Sequence, residues 1–270
     1  MASLVDSVRL YFRLVGISIR SQMQYRASFI LNTIGSLLIT FAEFATILVL
    51  FARFGSLRGW RLGEVALFYG LINISYAIAD AIGRGFDKFS LQVISGEFDR
   101  TLLRPRATEL QVLAHDLPLR RAGRLLQGLA ITVWAAVNAG IAWNVAKGAL
   151  MALSVVGGVA IFTGLLVLQA TMCFWSTQSL EVMNSFTSGG VETLQWPLPI
   201  FNRWFARLFI FVIPLACVSY FPMLVVLDKP DAFSFPTWFH VVSPLAGFSF
   251  LGICLLVWKV GVRHYRSTGS

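Results

Sequence analysis

The sequence predicts an all-α, polytopic membrane protein with six transmembrane helices, and three observations carry that prediction. Apolar residues make up 57% of the 270 positions and charged residues only 13%, with a mean hydropathy of +0.72. An ordinary soluble domain carries about a quarter charged residues, so this chain cannot cover a water-soluble globule of its size. Six apolar stretches recur along the chain, each near the roughly 20 residues that cross a hydrocarbon core. Lys and Arg fall unequally on the connections between them, 17 on one side and 5 on the other. These features exclude a soluble enzyme, a disordered chain and a disulfide scaffold. The three cysteines, Cys173, Cys217 and Cys254, sit in apolar stretches without a CxxC pair, which argues against a zinc site.

Residues 1–26 hold Arg9, Arg13, Arg20 and Arg26 without an apolar run long enough for a signal core. Asp6, Arg9, Arg13, Arg20 and Gln24 share one stripe at helical spacing. Val8, Phe12, Val15 and Ile19 cover much of the rest. The segment reads as an amphipathic helix in the membrane interface. The expected spans are 27–52, 65–83, 125–143, 150–174, 205–227 and 241–260, together forming one membrane domain over 27–270. The fifth is interrupted by Pro214 and Pro222. With the N-terminus inside, the 17-to-5 bias puts both termini in the cytoplasm. The basic character is then a topology signal, and nucleic acid is not expected as a partner.

The longest polar connection, 84–124, is expected on the cytoplasmic side. Phe86, Phe89, Val93 and Ile94 recur there at near-helical spacing, Gly96 can end that helix, and Pro105 breaks the chain before another. This is a candidate docking element. The connection 175–204 is expected on the same side, with Trp196-Pro197-Leu198-Pro199 setting a re-entry angle. Residues 228–240, rich in Phe and Trp, read as an outer re-entrant loop or an interfacial aromatic belt.

Two acids fall inside apolar spans, Glu43 and Asp80, and are candidates for the substrate pathway because an intramembrane carboxylate is expensive. Asp80 stands four residues before Arg84, the spacing of a local ion pair. Glu43 has no cation within four residues and is expected to face a polar cavity or another subunit. Only His115-Asp116 pairs a histidine with an acid. HExxH, GxSxG and the phosphate loop GxxxxGK[ST] are all absent, so an enzyme is not expected, and any ATP hydrolysis must come from another chain.

Three strings carry a family resemblance. Gly96-Glu97-Phe98-Asp99-Arg100-Thr101-Leu102-Leu103-Arg104-Pro105 resembles the cytoplasmic-loop signature of ABC type-two permeases. Phe174-Trp175-Ser176-Thr177-Gln178-Ser179-Leu180-Glu181 is a second match. Trp196-Pro197-Leu198-Pro199-Ile200-Phe201, continuing to Tyr220-Phe221-Pro222, is a third. Relatives usually show Tyr-Pro where this chain has Trp196-Pro197. The resemblance implies the six-span type-two exporter architecture, half of a membrane dimer with a related chain or a second copy, in a bacterial cytoplasmic (inner) membrane. It implies a separate cytoplasmic ABC ATPase dimer that binds ATP and Mg, with no cofactor in this chain. It also implies a pair of short re-entrant helices between the fifth and sixth spans. ATPase coupling then falls on Arg9, Arg13, Phe86, Phe89, Gly96, Glu97, Phe98, Asp99, Arg100, Leu103, Arg104 and Pro105. The expected cargo is amphipathic or hydrophobic: a drug, lipid, peptide or glycan. The alternatives are a membrane scaffold or regulator that borrows an ABC ATPase, and a secondary transporter.

Overall fold

The computed structural model describes residues 26–103, 107–113, 122–175 and 179–265. The interfacial segment with Arg9 and Arg13, and the pair Arg104 and Pro105, lie outside them. The first apolar stretch folds as α1, Arg26–Phe54, and the second as α2, Leu62–Asp87. Glu64 caps the start of α2 by accepting the Arg61 backbone N–H at 2.8 Å. Three short helices follow on the polar connection: α3, Phe89–Ile94; α4, Glu97–Leu102; and α5, Thr108–Leu113. Then come α6, Ala122–Asn138, and α7, Val145–Met172. The C-terminal half holds α8, Ser179–Leu194, and α9, Arg203–Arg207, whose last turn relaxes into a π-turn over Leu208–Val212. It continues with α10, Leu215–Val218; α11, Tyr220–Val226; α12, Thr237–Val242; and α13, Ala246–His264.

Helix α2 is the hub. Most of its residues are buried, because α6 and α7 pack along its length with α1 and α8 beside them. Close approach needs small residues at the crossings. A Cβ on Gly70 of α2 would fall 2.0 Å from Thr132 Oγ1 of α6, and one on Gly247 of α13 would fall 2.2 Å from the Gly157 carbonyl oxygen of α7. Along the same seam, Gly164 of α7 meets Phe250 and Leu251 of α13, and Gly261 of α13 meets Thr171 of α7, so glycines from both helices open it at several levels.

Among the described residues, four helices are long and apolar enough to cross a membrane: Thr33–Phe54, Leu62–Ile94, Val145–Met172 and Thr237–His264. A fifth counts if the pair Arg203–Val212 and Leu215–Val226, bent by 80°, is taken as one span. The expected count of six is thus not reached by length and composition. Helices α6 and α8 are 17 and 16 residues long, about 24–26 Å at 1.5 Å per residue.

The bent pair corrects the expected fifth span, 205–227. The carbonyl of Pro199, before the pair, accepts Arg58 Nη1 at 2.8 Å, and Lys229 Nζ, after it, donates to the Gly59 carbonyl at 2.9 Å. Residues 58 and 59 are neighbours in the connection between α1 and α2. Both feet of the segment therefore stand at one end of the bundle, and the chain between them goes in and returns. Its turn lies deep: Val218 packs on Gly157 and Gly158, the latter also touching Ser75, halfway along α7 and α2. The turn is sharp because the π-turn ends at Ile213 and Pro214 restarts the helix without an N–H to donate. The segment that runs between the two ends is α8 instead. Residues 195–204, with Arg203 and Arg207 after them, consequently sit at the end opposite the polar loop 84–113.

Candidate functional site

The polar connection is a folded block. Helix α2 breaks at Lys88, α3 follows, and Gly96 at φ +68 reverses the chain into α4, a conformation that costs a residue with a Cβ far more than glycine. Glu97 and Asp99 then occupy the first turn of α4, where the exposed backbone N–H groups favour negative charge.

Aromatic rings lock this block to the ends of α7 and α13. Phe89 packs edge-on against Phe98 (ring centroids 4.8 Å), Phe174 (5.3 Å) and Trp258 (5.0 Å). Phe86 meets Trp258 at 5.2 Å, and Phe98 meets Tyr265 at 5.0 Å. Trp258 is fully buried, and its indole N–H donates to Thr108 Oγ1 of α5 at 3.2 Å. Each buried ring contributes about 2–3 kcal/mol by area, with roughly 0.5–1.5 kcal/mol more for each well-oriented pair. Burial and the Asp99 carboxylate beside it push the Tyr265 phenol up to about 12.

The sequence-derived site residues therefore divide. Phe86, Phe89 and Phe98 are the buried anchor. Glu97, Arg100 and Leu103 are exposed, Leu103 at 86%, and with them Leu91 and Ile94 at 62% and 60%. Gly96 and Asp99 lie half-buried between the two sets. The result is an apolar and charged outer face on a rigid aromatic base. Within the last turns of α2, Arg84 pairs with Asp87 (2.5 Å) and Asp80 (3.8 Å), and Gln169 of α7 ties that end of α2 to α7 by donating to Asp87 at 3.4 Å. Asp80 is thus held by its neighbour four residues on, as its spacing suggests.

Glu43 pairs within its own chain. Its Oε1 lies 3.5 Å from Arg124 Nη2 of α6, and that guanidinium also lies 5.3 Å over the Tyr76 ring. Beside them, Tyr69 Oη donates to the Thr40 carbonyl at 2.9 Å, Gln127 donates to Tyr69 Oη at 3.4 Å, and Thr40 Oγ1 bonds Gln127 Oε1. The node joins α1, α2 and α6. Its charges come from positions 81 residues apart, beyond the reach of local spacing.

At the opposite end, Lys147 pairs with Asp228 (2.5 Å) and Lys229 with Glu64 (2.7 Å), while Lys229 also lies 4.2 Å over Trp60. Residues 228–240 cap that end around buried Asp231. Its carboxylate accepts the backbone N–H groups of Phe233 (3.0 Å) and Phe235 (2.7 Å) and the Tyr220 hydroxyl (3.2 Å), and lies 3.4 Å from His240 Nε2.

One set of residues has no counterpart in the sequence-derived list. Helix α8 buries Thr187, Gly190, Val191 and Leu194 and exposes Asn184, Ser188 and Glu192 on its other side. The signal was present as a polar stripe at i, i+4 and i+8, but the segment lay within an expected loop.

No curated protein and no solved structure matches the chain. The family described as ABC-2 family transporter protein matches residues 37–269, from within α1 to past the end of α13. With its bundle of apolar helices and folded polar loop, this multi-pass membrane chain is a permease that belongs to the ABC-2 transporter family, whose members work with an ABC ATPase.

Proposed function

We propose that the chain is the membrane subunit of an ATP-driven exporter, forming half of a substrate pathway with a second permease, either a related chain or another copy. The block α3–α4 docks on a cytoplasmic ABC ATPase dimer, which binds ATP and Mg. The observation that carries this reading is the block itself: exposed Leu91, Ile94, Leu103, Glu97 and Arg100 stand on a base that the rings of Phe86, Phe89, Phe98, Phe174 and Trp258 bind to three helices. A push on the outer face is then delivered to α2, α7 and α13 together rather than absorbed by a loop. Arg9, Arg13, Arg104 and Pro105, which lie outside the described residues, are assigned to the same docking role by the family resemblance alone.

The polar-loop end faces the cytoplasm of a bacterial inner membrane. With Arg203 and Arg207 moved to the other side, Lys and Arg still favour that end by 15 to 7. Six crossings result, by α1, α2, α6, α7, α8 and α13, with the bent pair as a re-entrant hairpin in the outer leaflet. The cargo is amphipathic or hydrophobic: a drug, lipid, peptide or glycan.

The test is co-expression with the neighbouring ATPase and any second permease, followed by mild-detergent purification. ATPase is expected in the complex. The pair E97K and R100E is expected to lower the retained ATPase at least fivefold while membrane insertion is unchanged. Full retention of ATPase by that variant would remove the docking assignment, and a chain that never captures an ATPase would remove the exporter reading.

A further inference from the structure

The lateral surface of the bundle is apolar on most helices. Helix α1 presents Leu31, Leu38 and Val49, and α13 presents Ile253 and Leu256. Helix α8 differs. It runs between the two ends of the bundle, yet its exposed side carries Asn184, Ser188 and Glu192, successive turns of one stripe. Ser188 Oγ donates to Asn184 Oδ1 at 3.3 Å, so that the stripe is internally bonded at one end and ends in a carboxylate. Among the described residues no cation lies within ion-pair distance of Glu192.

The stripe is not at the rim. Gly190, two residues from Glu192, packs within 2.9 Å of Leu215 Cδ1 (Cβ position), and Leu215 follows Pro214 at the inward turn of the hairpin. Ser188 and Asn184 lie further toward the polar-loop end. A carboxyl group and two hydrogen-bonding side chains at that depth are too costly to face acyl chains. They require water, a polar ligand or both.

We propose that the exposed stripe of α8 lines the water-filled path of the transported molecule and that Glu192 binds its cationic group. This deepens the exporter reading and rests on it. The preferred cargo is accordingly an amphipathic molecule with a positively charged, hydrogen-bonding head, for which Ser188 and Asn184 supply the neutral contacts. Glu43 does not fill this role, because Arg124 already matches its charge.

The test is thiol labelling of the co-purified complex in proteoliposomes, using a trimethylammonium-ethyl and a sulfonato-ethyl methanethiosulfonate. Cys173, Cys217 and Cys254 are buried, so the wild-type chain gives the background. S188C, with N184C as a second site, is expected to react much faster than V49C on the apolar face of α1. Glu192 stands one turn from Ser188, about 6 Å away. One unit charge at that distance in wet surroundings attracts the cationic reagent and repels the anionic one. E192Q is therefore expected to lower the cation-to-anion rate ratio at S188C roughly tenfold, and E192D to keep it. Labelling of both cysteines no faster than V49C would overturn the proposal. So would a ratio that E192Q leaves unmoved, or disulfide crosslinking of S188C between copies with both reagents excluded, which would make the stripe a packed seam. Because the complex is selected by its bound ATPase, these outcomes are read separately from failure of the exporter reading.

Discussion

The Arg58 guanidinium donates to the Pro199 carbonyl at 2.8 Å, across 141 positions of sequence. Arg58 adopts φ 49, an uncommon backbone conformation for a side chain of its kind, and the bond holds it there. The same turn receives Lys229 at Gly59. Together they require that the chain enter and leave the bundle at one end, which makes 203–226 a hairpin and α8 the crossing helix.

Sidedness follows directly. W204C and S56C are expected to label together with an impermeant maleimide applied from outside the cell, and L103C only after the membrane is opened. Labelling of W204C together with L103C instead would restore 205–227 as a span.

The aromatic base sets the order of the folded polar block. F98A removes a fully buried ring that touches Phe89, Phe174 and Tyr265, a loss of about 3–5 kcal/mol. Limited proteolysis is expected to cut within 88–103 in that variant and not in the parent, with the spans intact. An uncut block would show that the rings do not hold it.

Alkaline pH is expected to loosen the same base. The Tyr265 phenol is raised in the folded state from its ordinary 10.0 to about 12, so its contribution is fully present below pH 10 and is lost as pH rises through 12. Protease sensitivity of the block should rise over that window in the parent and less in Y265F, which has no proton to lose. Identical pH profiles would exclude Tyr265 as the group responsible.

The seam of α7 and α13 tolerates no Cβ at Gly247, where one would fall 2.2 Å from the Gly157 oxygen, whereas Gly252 on the same helix has open space. G247V is expected to abolish the monodisperse peak in detergent chromatography, and G252V to preserve it.

Breaking the Glu43–Arg124 pair is expected to be asymmetric. R124A leaves a carboxylate within the apolar bundle and should lower thermal stability by roughly 2–3 kcal/mol, more than E43Q does, because Arg124 keeps its contact with Tyr76. The double variant should recover part of the loss.

Much of this fold is legible in the sequence because burial in lipid writes long apolar runs, as in α1, α2, α7 and α13. The Asp80–Arg84 pair is legible because helical spacing makes it local, and the reversal at Gly96 because the residue type marks it. The hairpin was hidden by its own composition: 205–227 is apolar enough to pass for a span, and only Pro214 and the contacts of Arg58 and Lys229 reveal the turn. Helix α8 was hidden for the opposite reason, since Asn184, Ser188 and Glu192 make a crossing helix read as a loop. The aromatic base could not be read either. Phe89, Phe174 and Trp258 are brought together from α3, the turn after α7 and α13, and nothing in the spacing of Phe86 and Phe89 says which distant rings receive them.

Helix α2 connects two of these features mechanically. Its first turn holds Glu64, which grips Lys229 at the foot of the hairpin, and its last holds Phe86, wedged against Trp258. At 26 residues it is a rod about 39 Å long. Rocking it by about 5° around its middle shifts each end by roughly 1.7 Å in opposite directions. The hairpin and the folded polar block are thus joined by one stiff rod, and under the proposed docking role a tug at the rings becomes an opposed stroke at the far mouth of the bundle.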